Sequence, residues 1–375
     1  MSVLSEQELQ VRWRERWDNF LSHIQAADTA EAAQNALRDK VIIGNAERKI
    51  AGGHEGREIL ELLQNARDAI WRGDAEQGRV YVGVYDEGVL VANTGSRFDL
   101  FDPQVEDAVT MIGETGKGDD DQSIGHKGVG LKSILATGDS FEIFTRPEQS
   151  SDDILAVQLS RAYLVAAIRN RLGQDSNISD LTDDLDDATL QGLLTNSNPD
   201  ETVQLTDGIQ DSISKLPLFN FPVPLAMNGS EVATDPIRSR VRDLLTDSSG
   251  TQTEDQFRTA VFIRYEDSEW RSQLSNIGAS TPEEEDTGSI EDRPQRIWEY
   301  LSATASEDGL QPETLVQLGG IEELTLERAT DGGSDTVRKE QWKIHRSSSP
   351  NVAIPDLAHS EVDVCIHSPD NTETV

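Results

Sequence analysis

Cysteine and long apolar runs are almost absent from this chain of 375 residues. Cys365 is the only cysteine, so no disulfide bond can form within the chain. No apolar run approaches the length that a membrane-spanning helix needs, and the first residues lack the pattern of a secretory signal. From these absences we expect a cytoplasmic protein that has no membrane partner.

Basic residues are also scarce, because 33 Lys and Arg stand against 69 Asp and Glu, a formal net charge of −36. Such a charge repels nucleic-acid phosphates over most of the surface, so a nucleic-acid partner is not expected for this segment. The acidic residues are spread along the chain, for example at 119–121, 183–187 and 283–286. This spread favours a solvated acidic surface, as in proteins of a high-salt cytoplasm, over a patch that recruits a basic partner. We therefore expect a halophilic source.

The most informative segment is 61–69, with the sequence ELLQNARDA. In a helix, Glu61, Asn65 and Asp68 stand at i, i+4 and i+7 and share one face. The apolar residues take the other faces: Leu62, Leu63, Ala66 and Ala69. The pattern predicts a helix from about residue 54 to about residue 70. One stripe of that helix packs on a sheet, and a carboxylate-and-amide stripe faces a polar site.

A glycine-rich block, GHKGVGLKS, follows at 125–133, after a polar glycine-rich stretch at 113–123. It predicts a turn that runs into an apolar helix start, an arrangement that presents backbone N–H groups to phosphate. Carboxylate and amide oxygens suit Mg²⁺, and a carboxylate can activate water as a base. The two segments together indicate a nucleotide site with Mg²⁺.

Alternating and β-branched apolar residues predict a series of strands along the chain. The first two form a hairpin around the tight turn at 86–88. Residues 174–211 are acidic and rich in Ser, Thr and Asn, and we interpret them as an insertion. The predicted strands cover 79–85, 89–92, 140–145, 154–159, 257–265, 321–326, 339–345 and 362–366.

Taken together, these blocks resemble the GHKL, or Bergerat-fold, ATPase superfamily, and within it the sacsin-like and heat-shock-chaperone-like branch. The resemblance covers roughly 55–145, with a weaker echo to about 265. It implies an α+β fold: a two-layer α/β sandwich with a mixed, mostly antiparallel sheet and helices on one face. It also implies a division of the chain, with a second unit that we expect to be incomplete. The parts are an N-terminal helical segment at 1–50, an ATPase domain at 51–270 with an acidic insertion at about 174–215, a linker at 271–292, and the start of a transducer-like α/β unit at 293–375.

The resemblance implies roles for the residues of the first motif, Glu-x-x-x-Asn-x-x-Asp-Ala. Glu61 would orient and deprotonate the attacking water, and Asn65 would be the Mg²⁺ ligand. Asp68 and Ala69 complete the motif and would contact the nucleotide. ATP and Mg²⁺ are therefore the expected ligand and cofactor.

The third family motif, Gly-x-x-Gly-x-Gly, is met at 125–130. By resemblance, its backbone wraps the phosphates of ATP, with the histidine and lysine side chains turned to solvent. Lys132 precedes Ser133 as in sacsin-like proteins, and it either touches phosphate or caps a strand. Lys117 would belong to a lid over the nucleotide. The expected nucleotide-binding residues of this part are Lys117, Gly125, His126, Lys127, Gly128, Val129, Gly130 and Lys132.

The middle motif of the family, Asp-x-Gly-x-Gly, has two candidates. Asp86 begins an Asp-Glu-Gly that falls in the predicted hairpin turn, one strand too early. Asn93 follows the second strand, as the family requires, with Gly95 beside it and Arg97 in place of the second glycine. We place Asn93 at the adenine position, because its amide oxygen accepts the same hydrogen bond as the usual Asp. By resemblance, Thr259 also helps to hold the base.

The resemblance implies an ATP-binding and ATP-hydrolysing conformational switch, with dimerisation on ATP binding and an unknown protein client. A nucleotide-sensing scaffold or regulatory subunit of a larger defence or DNA-processing assembly, binding ATP without turnover, is the alternative. A GHKL-type protein kinase is a third interpretation. It is disfavoured because Glu61 is a hydrolase feature and because His23, on the N-terminal helix, lacks an acidic neighbour.

Overall fold

The computed structural model describes a set of residues in separate segments of the chain. Statements of structure below concern these residues alone. They are 6–25, 35, 37–38, 40–46, 49, 58–73, 78–98, 140–146, 154–160, 164, 215–218, 221–225, 235–246, 256–265, 293–302, 319–330, 335–346, 362–367 and 372–374.

The described elements begin with two helices, and two further helices lie between the strands that follow. The principal helices are α1 (Glu6–Gln25), α2 (Glu58–Arg72), α3 (Pro236–Leu245) and α4 (Arg293–Leu301). The strands are β1 (Arg79–Val84), β2 (Gly88–Asn93), β3 (Ser140–Thr145), β4 (Leu155–Ser160), β5 (Val223–Leu225), β6 (Thr259–Arg264), β7 (Glu323–Thr330), β8 (Asp335–Arg346), β9 (Val362–His367) and β10 (Thr372–Thr374).

All ten strands among the described residues belong to one sheet, in the order β10-β9-β8-β7-β1-β2-β6-β3-β4-β5. Neighbouring strands run antiparallel, except that β1 and β7 pair in parallel over 79–84 and 323–328. The predicted mixed, mostly antiparallel sheet of an α+β fold is therefore confirmed. Strands β7 to β10, which the sequence assigned to a second unit, continue the sheet of the first part.

Helix α2 packs on one face of this sheet with its apolar stripe. Leu62, Leu63 and Ala66 are buried in one cluster with alternate residues of the central strands, such as Val82 of β1 and Val91 of β2. The alternation arises because successive side chains of a strand point to opposite faces. Trp298 and Leu301 of α4 and Trp13 of α1 belong to the same cluster.

Helix α3 covers the opposite face. Its buried residues Ile237, Val241 and Leu245 pack in a second cluster with the other set of strand residues, among them Leu90 and Phe262. The sequence predicted helices on one face only, and this part of the prediction is wrong. The helix itself was missed, although Asp235 caps its N-terminus through bonds from the Ile237 and Arg238 N–H groups and Pro236 stands in its first turn.

Two arginines of α3 extend in opposite directions across the same face of the sheet. Arg238 donates to Glu142 of β3 at 3.0 Å, and Arg240 donates to Glu327 of β7 at 2.8 Å. Arg240 also lies over the ring of Tyr81, and burial raises the pKa of the Tyr81 hydroxyl well above its usual range. The Tyr81 and Tyr85 hydroxyl groups are 2.8 Å apart and satisfy each other. The second face is thus a mixed apolar and charge-paired layer.

Most of the predicted strands are confirmed with small shifts at their ends. The hairpin of β1 and β2 turns at Asp86 and Glu87, and β3 spans the predicted residues. The predicted N-terminal helical segment contains helix α1, and Trp17 and Phe20 of α1 pack against the ring of Phe221 with ring centroids 4.8 and 4.6 Å apart. Residues of the predicted acidic insertion before 215 lie outside the described part of the chain.

Candidate functional site

The predicted polar stripe of helix α2 becomes more buried toward the C-terminal end of the helix. Glu61 and Asn65 are half-buried, whereas Asp68, near the C-terminal end of the helix, is buried. A buried carboxylate needs a partner, and the neighbouring Arg67 donates to Asp68 at 2.9 Å. Arg67 also lies over the indole of Trp71, 4.5 Å from the ring. The more accessible end of the stripe therefore carries a carboxylate and an amide, and its deeper end carries an ion pair.

The loop that follows β2 packs directly on the last turns of α2. Gly95 has φ of +95°, and a Cβ atom there would lie 2.4 Å from the Ile70 Cα and 2.5 Å from the Ala69 carbonyl oxygen. The Ser96 N–H donates to the same Ala69 carbonyl at 2.7 Å. Only glycine permits this approach and this backbone conformation. The first and middle motifs are thus in contact, with Glu61 about 12 Å further along the helix axis.

Three polar residues form a row across adjacent strands where β2 and β3 end and β6 begins. Asn93 of β2 stands opposite Thr259 of β6, and Thr259 in turn stands opposite Thr145 of β3. The next row on this face is apolar, with Val91, Val261 and Ile143 in the same registers. All three polar residues are buried and lie on the face that α2 covers. An otherwise apolar sheet face therefore ends in side chains that can donate and accept hydrogen bonds.

Hydrogen bonds orient this polar row. The Asn93 side-chain N–H₂ donates to the Thr94 carbonyl at 2.7 Å, which leaves the amide oxygen as the acceptor of that side chain. The Phe98 N–H donates to the Thr259 hydroxyl oxygen at 2.8 Å, so the Thr259 O–H can donate elsewhere. The hydroxyl of Thr94, the residue after Asn93, accepts a hydrogen bond from the Arg79 N–H at 2.9 Å. The Thr145 hydroxyl donates to the Arg258 carbonyl at 3.5 Å. The row is neutral and combines the acceptor of Asn93 with the donor of Thr259.

The competing middle-motif candidate lies at the far end of the hairpin. Asp86 is in the turn between β1 and β2, and it accepts a hydrogen bond from Arg328 of β7 at 2.6 Å. At about 3.4 Å per residue, the length of β2 separates this turn from Asn93 by about 17 Å. Asp86 is exposed, and its carboxylate forms an ion pair with Arg328 at this end of the hairpin. The geometry thus associates Asn93, rather than Asp86, with α2.

The predicted phosphate-binding part and the lid lie outside the described residues. The structure therefore packs Gly95 on the end of the α2 motif and pairs Asn93 with Thr259 on the face that α2 covers, and it does not bear on the remaining predicted positions. Those positions are Lys117, Gly125, His126, Lys127, Gly128, Val129, Gly130 and Lys132.

Sequence reasoning missed three residues of this region: Thr145, Thr94 and Arg67. Thr145 at the end of a strand is indistinguishable from any β-branched strand residue until the pairing of β3 with β6 is known. Thr94 stands inside the middle motif and was treated as a spacer. Arg67 had a local signal, because it precedes Asp68 and stands four residues before Trp71 on the helix.

Within the described part of the chain, no helix is long and apolar enough to cross a membrane. The same residues contain no cluster of three or more His, Cys, Asp or Glu side chains arranged to hold a metal ion. No protein-family model matches the chain, and no curated protein matches it either.

Proposed function

We propose that this protein is an ATP-binding and ATP-hydrolysing conformational switch built on a Bergerat-type nucleotide site. The base would lie at the polar row of Asn93, Thr259 and Thr145, and the phosphates would lie toward the segment at 125–133. Glu61 would activate water, and Asn65 would hold Mg²⁺. Closure of the lid around ATP and its reopening after hydrolysis would drive the switch.

The observation that carries this proposal is the pairing of Asn93 with Thr259 beneath α2. The two residues come from distant parts of the chain, and the resemblance to the GHKL superfamily implies that each of them contacts the base. Their register puts them side by side on the face of the sheet that α2 covers. The free amide oxygen of Asn93 suits the exocyclic amino group of adenine, which donates a hydrogen bond.

The residues of α2 fit a hydrolytic role in their chemistry and their accessibility. Asn65 offers an amide oxygen of the kind that Mg²⁺ accepts, and Mg²⁺ usually keeps several waters, so one or two protein ligands suffice. When bound, Mg²⁺ would neutralise charge on the phosphate oxygens. Glu61 is half-buried, which leaves its carboxylate within reach of a water molecule while the helix holds its backbone.

Neutrality of the base site has a consequence for affinity. An ionised Asp would make a charge-assisted bond to the adenine amino group, whereas Asn93 makes a neutral bond that is roughly half as strong. We therefore expect micromolar rather than nanomolar affinity for ATP. Binding would depend on Mg²⁺ and on the phosphate contacts for much of its strength.

The test is a calorimetric titration of Mg·ATP into the full chain, in buffer with high KCl. Wild type is compared with Asn93→Leu, which removes the proposed acceptor, and with Asp86→Asn, which neutralises the other middle-motif candidate. We expect Asn93→Leu to lose at least ten-fold in affinity, about 1.4 kcal/mol, and Asp86→Asn to bind like wild type.

The opposite pattern, with binding lost in Asp86→Asn and kept in Asn93→Leu, would move the base to the other end of the hairpin and refute the proposed site. Absence of ATP binding by wild type would refute the function itself. ATP binding without phosphate release would select a nucleotide-sensing scaffold.

A further inference from the structure

A buried arginine connects the base end of the sheet to the helix on its other face. Arg146 directly follows Thr145 of the polar row, and its side chain reaches α3. Its guanidinium donates to the carbonyl of Leu245, the last residue of α3, at 2.9 Å. It also donates to the side-chain oxygen of Gln256 at 2.6 Å. A cation at this position is favourable, because the carbonyl groups at a helix C-terminus carry partial negative charge.

Gln256 begins the short segment that leads into β6 and ends at Thr259. The backbone of Arg258 in this segment is pinned on both sides. Its N–H donates to the Asn93 carbonyl at 2.9 Å, and its carbonyl accepts from the Arg146 N–H at 3.0 Å. Gln256, held by the Arg146 guanidinium, is the first residue of this segment. The segment that leads to Thr259 is therefore held by the Asn93 carbonyl, by the Arg146 N–H and, at Gln256, by the Arg146 guanidinium.

We propose that Arg146 is a positioning residue for the base site: by tying Gln256 and the end of α3 together, it holds Thr259 in register with Asn93. This proposal rests on the proposed function for its effect on nucleotide binding. It also predicts a structural effect that is independent of any ligand. Arg146 lies on the face opposite α2, so it acts on the base through Thr259 and not by contact.

The readout that isolates this role is the amide of Phe98, whose N–H donates to the Thr259 hydroxyl. If Thr259 moves, this amide loses its acceptor and exchanges its hydrogen faster. We would measure hydrogen exchange at Phe98 in the full chain without nucleotide, together with the affinity for Mg·ATP. The variants are Arg146→Met and the milder Gln256→Ala, which keeps the bond from Arg146 to Leu245.

The matched control is Arg240→Met, which makes the same chemical change on the same helix–sheet face. Arg240 ties α3 to Glu327 of β7, on the side away from β3, so its loss destabilises the contact without touching the segment at 256–259. We expect at least ten-fold faster exchange at Phe98 and at least ten-fold weaker ATP binding in Arg146→Met. Gln256→Ala should also speed exchange at Phe98 and weaken ATP binding, but by less. Arg240→Met should stay within about two-fold of wild type in both the exchange rate and the ATP affinity.

Unchanged Phe98 exchange in both Arg146→Met and Gln256→Ala would overturn the proposal, as would an equal effect in Arg240→Met. If Arg146→Met fails to fold, Gln256→Ala decides alone. A wild type that does not bind ATP refutes the proposed function and not the positioning role of Arg146. In that case, fast exchange at Phe98 in the variants and slow exchange in the control still support the positioning role.

Discussion

Replacement of Gly95 by alanine tests the contact between the two motifs most sharply. The added Cβ would lie 2.4 Å from the Ile70 Cα and 2.5 Å from the Ala69 carbonyl oxygen, and both are backbone atoms that a rotamer change does not move. The positive φ of Gly95 adds a second cost, because L-residues with a Cβ disfavour that conformation.

The two costs can be estimated separately. The left-handed backbone conformation costs about 1–2 kcal/mol for a residue with a Cβ. Overpacking against a fixed neighbour costs about 1–3 kcal/mol. We therefore expect Gly95→Ala to lower the free energy of unfolding by about 2–5 kcal/mol, a large share of the roughly 5–15 kcal/mol that a domain possesses.

Urea unfolding followed by circular dichroism measures this change, and the calorimetric titration with Mg·ATP measures its effect on the site. The control is Ser96→Ala, one residue along the same loop, which adds no atom and keeps the N–H that bonds to Ala69. The control should stay within about 0.5 kcal/mol of wild type. A Gly95→Ala variant as stable as Ser96→Ala, with unchanged ATP affinity, would refute the packing of this loop on α2.

Three further predictions follow from particular contacts. Thr259→Val removes the acceptor of the Phe98 N–H and should cost about 1–3 kcal/mol of stability in urea unfolding, together with roughly ten-fold in ATP affinity; unchanged values of both would contradict the assigned register. Arg238→Met leaves the buried carboxylate of Glu142 unpaired and should cost about 3–5 kcal/mol, whereas the double variant with Glu142→Met should recover most of it; a double variant as unstable as the single one would contradict this account of the pair. Burial raises the pKa of Tyr81 in the folded protein, so the unfolded chain loses this proton first and the free energy of unfolding should fall above pH 10, by up to about 1.4 kcal/mol per pH unit. In urea titrations between pH 8 and 11, Tyr81→Phe should flatten that fall, and an unchanged slope would refute the assignment.

The local parts of this fold could be predicted from the sequence. Strands β1 to β3 are dense in β-branched and aromatic residues, and the turn at 86–88 ends in glycine, so their type and position follow from short-range chemistry. Helix α2 is equally clear, because its apolar and polar residues separate at helical spacing.

The rest depends on contacts between distant segments. The parallel pairing of β1 with β7 joins segments that are far apart in the sequence, and nothing in either strand specifies its partner. The sequence analysis does not predict helix α3, which carries three arginines, two of them paired with buried glutamates. Its Asp-Pro start and its apolar residues at a spacing of four were the available signals.

The candidate site likewise has a part that local sequence predicts and a part that depends on contacts between distant segments. The spacing of Glu61, Asn65 and Asp68 was visible along one helix, and Asn93 was visible as the end of a strand. The role of Thr145 needed two nonlocal pairings, first of β2 with β6 and then of β6 with β3. The proposed role of Arg146 depends, in addition, on helix α3, which the sequence analysis does not predict.

The most direct test of the central claim is phosphate release from ATP by the full chain, in high KCl with Mg²⁺, for wild type and Glu61→Ala, with nucleotide binding measured on both. Glu61→Gln is the matched control for shape, because it keeps the volume of the side chain and removes only its basicity. The account predicts that wild type releases phosphate from ATP. Both variants should bind ATP with an affinity within a few-fold of wild type and should release phosphate at least 100-fold more slowly. Equal phosphate release by all three proteins would contradict the role of Glu61, and a wild type that neither binds nor hydrolyses ATP would contradict the account as a whole.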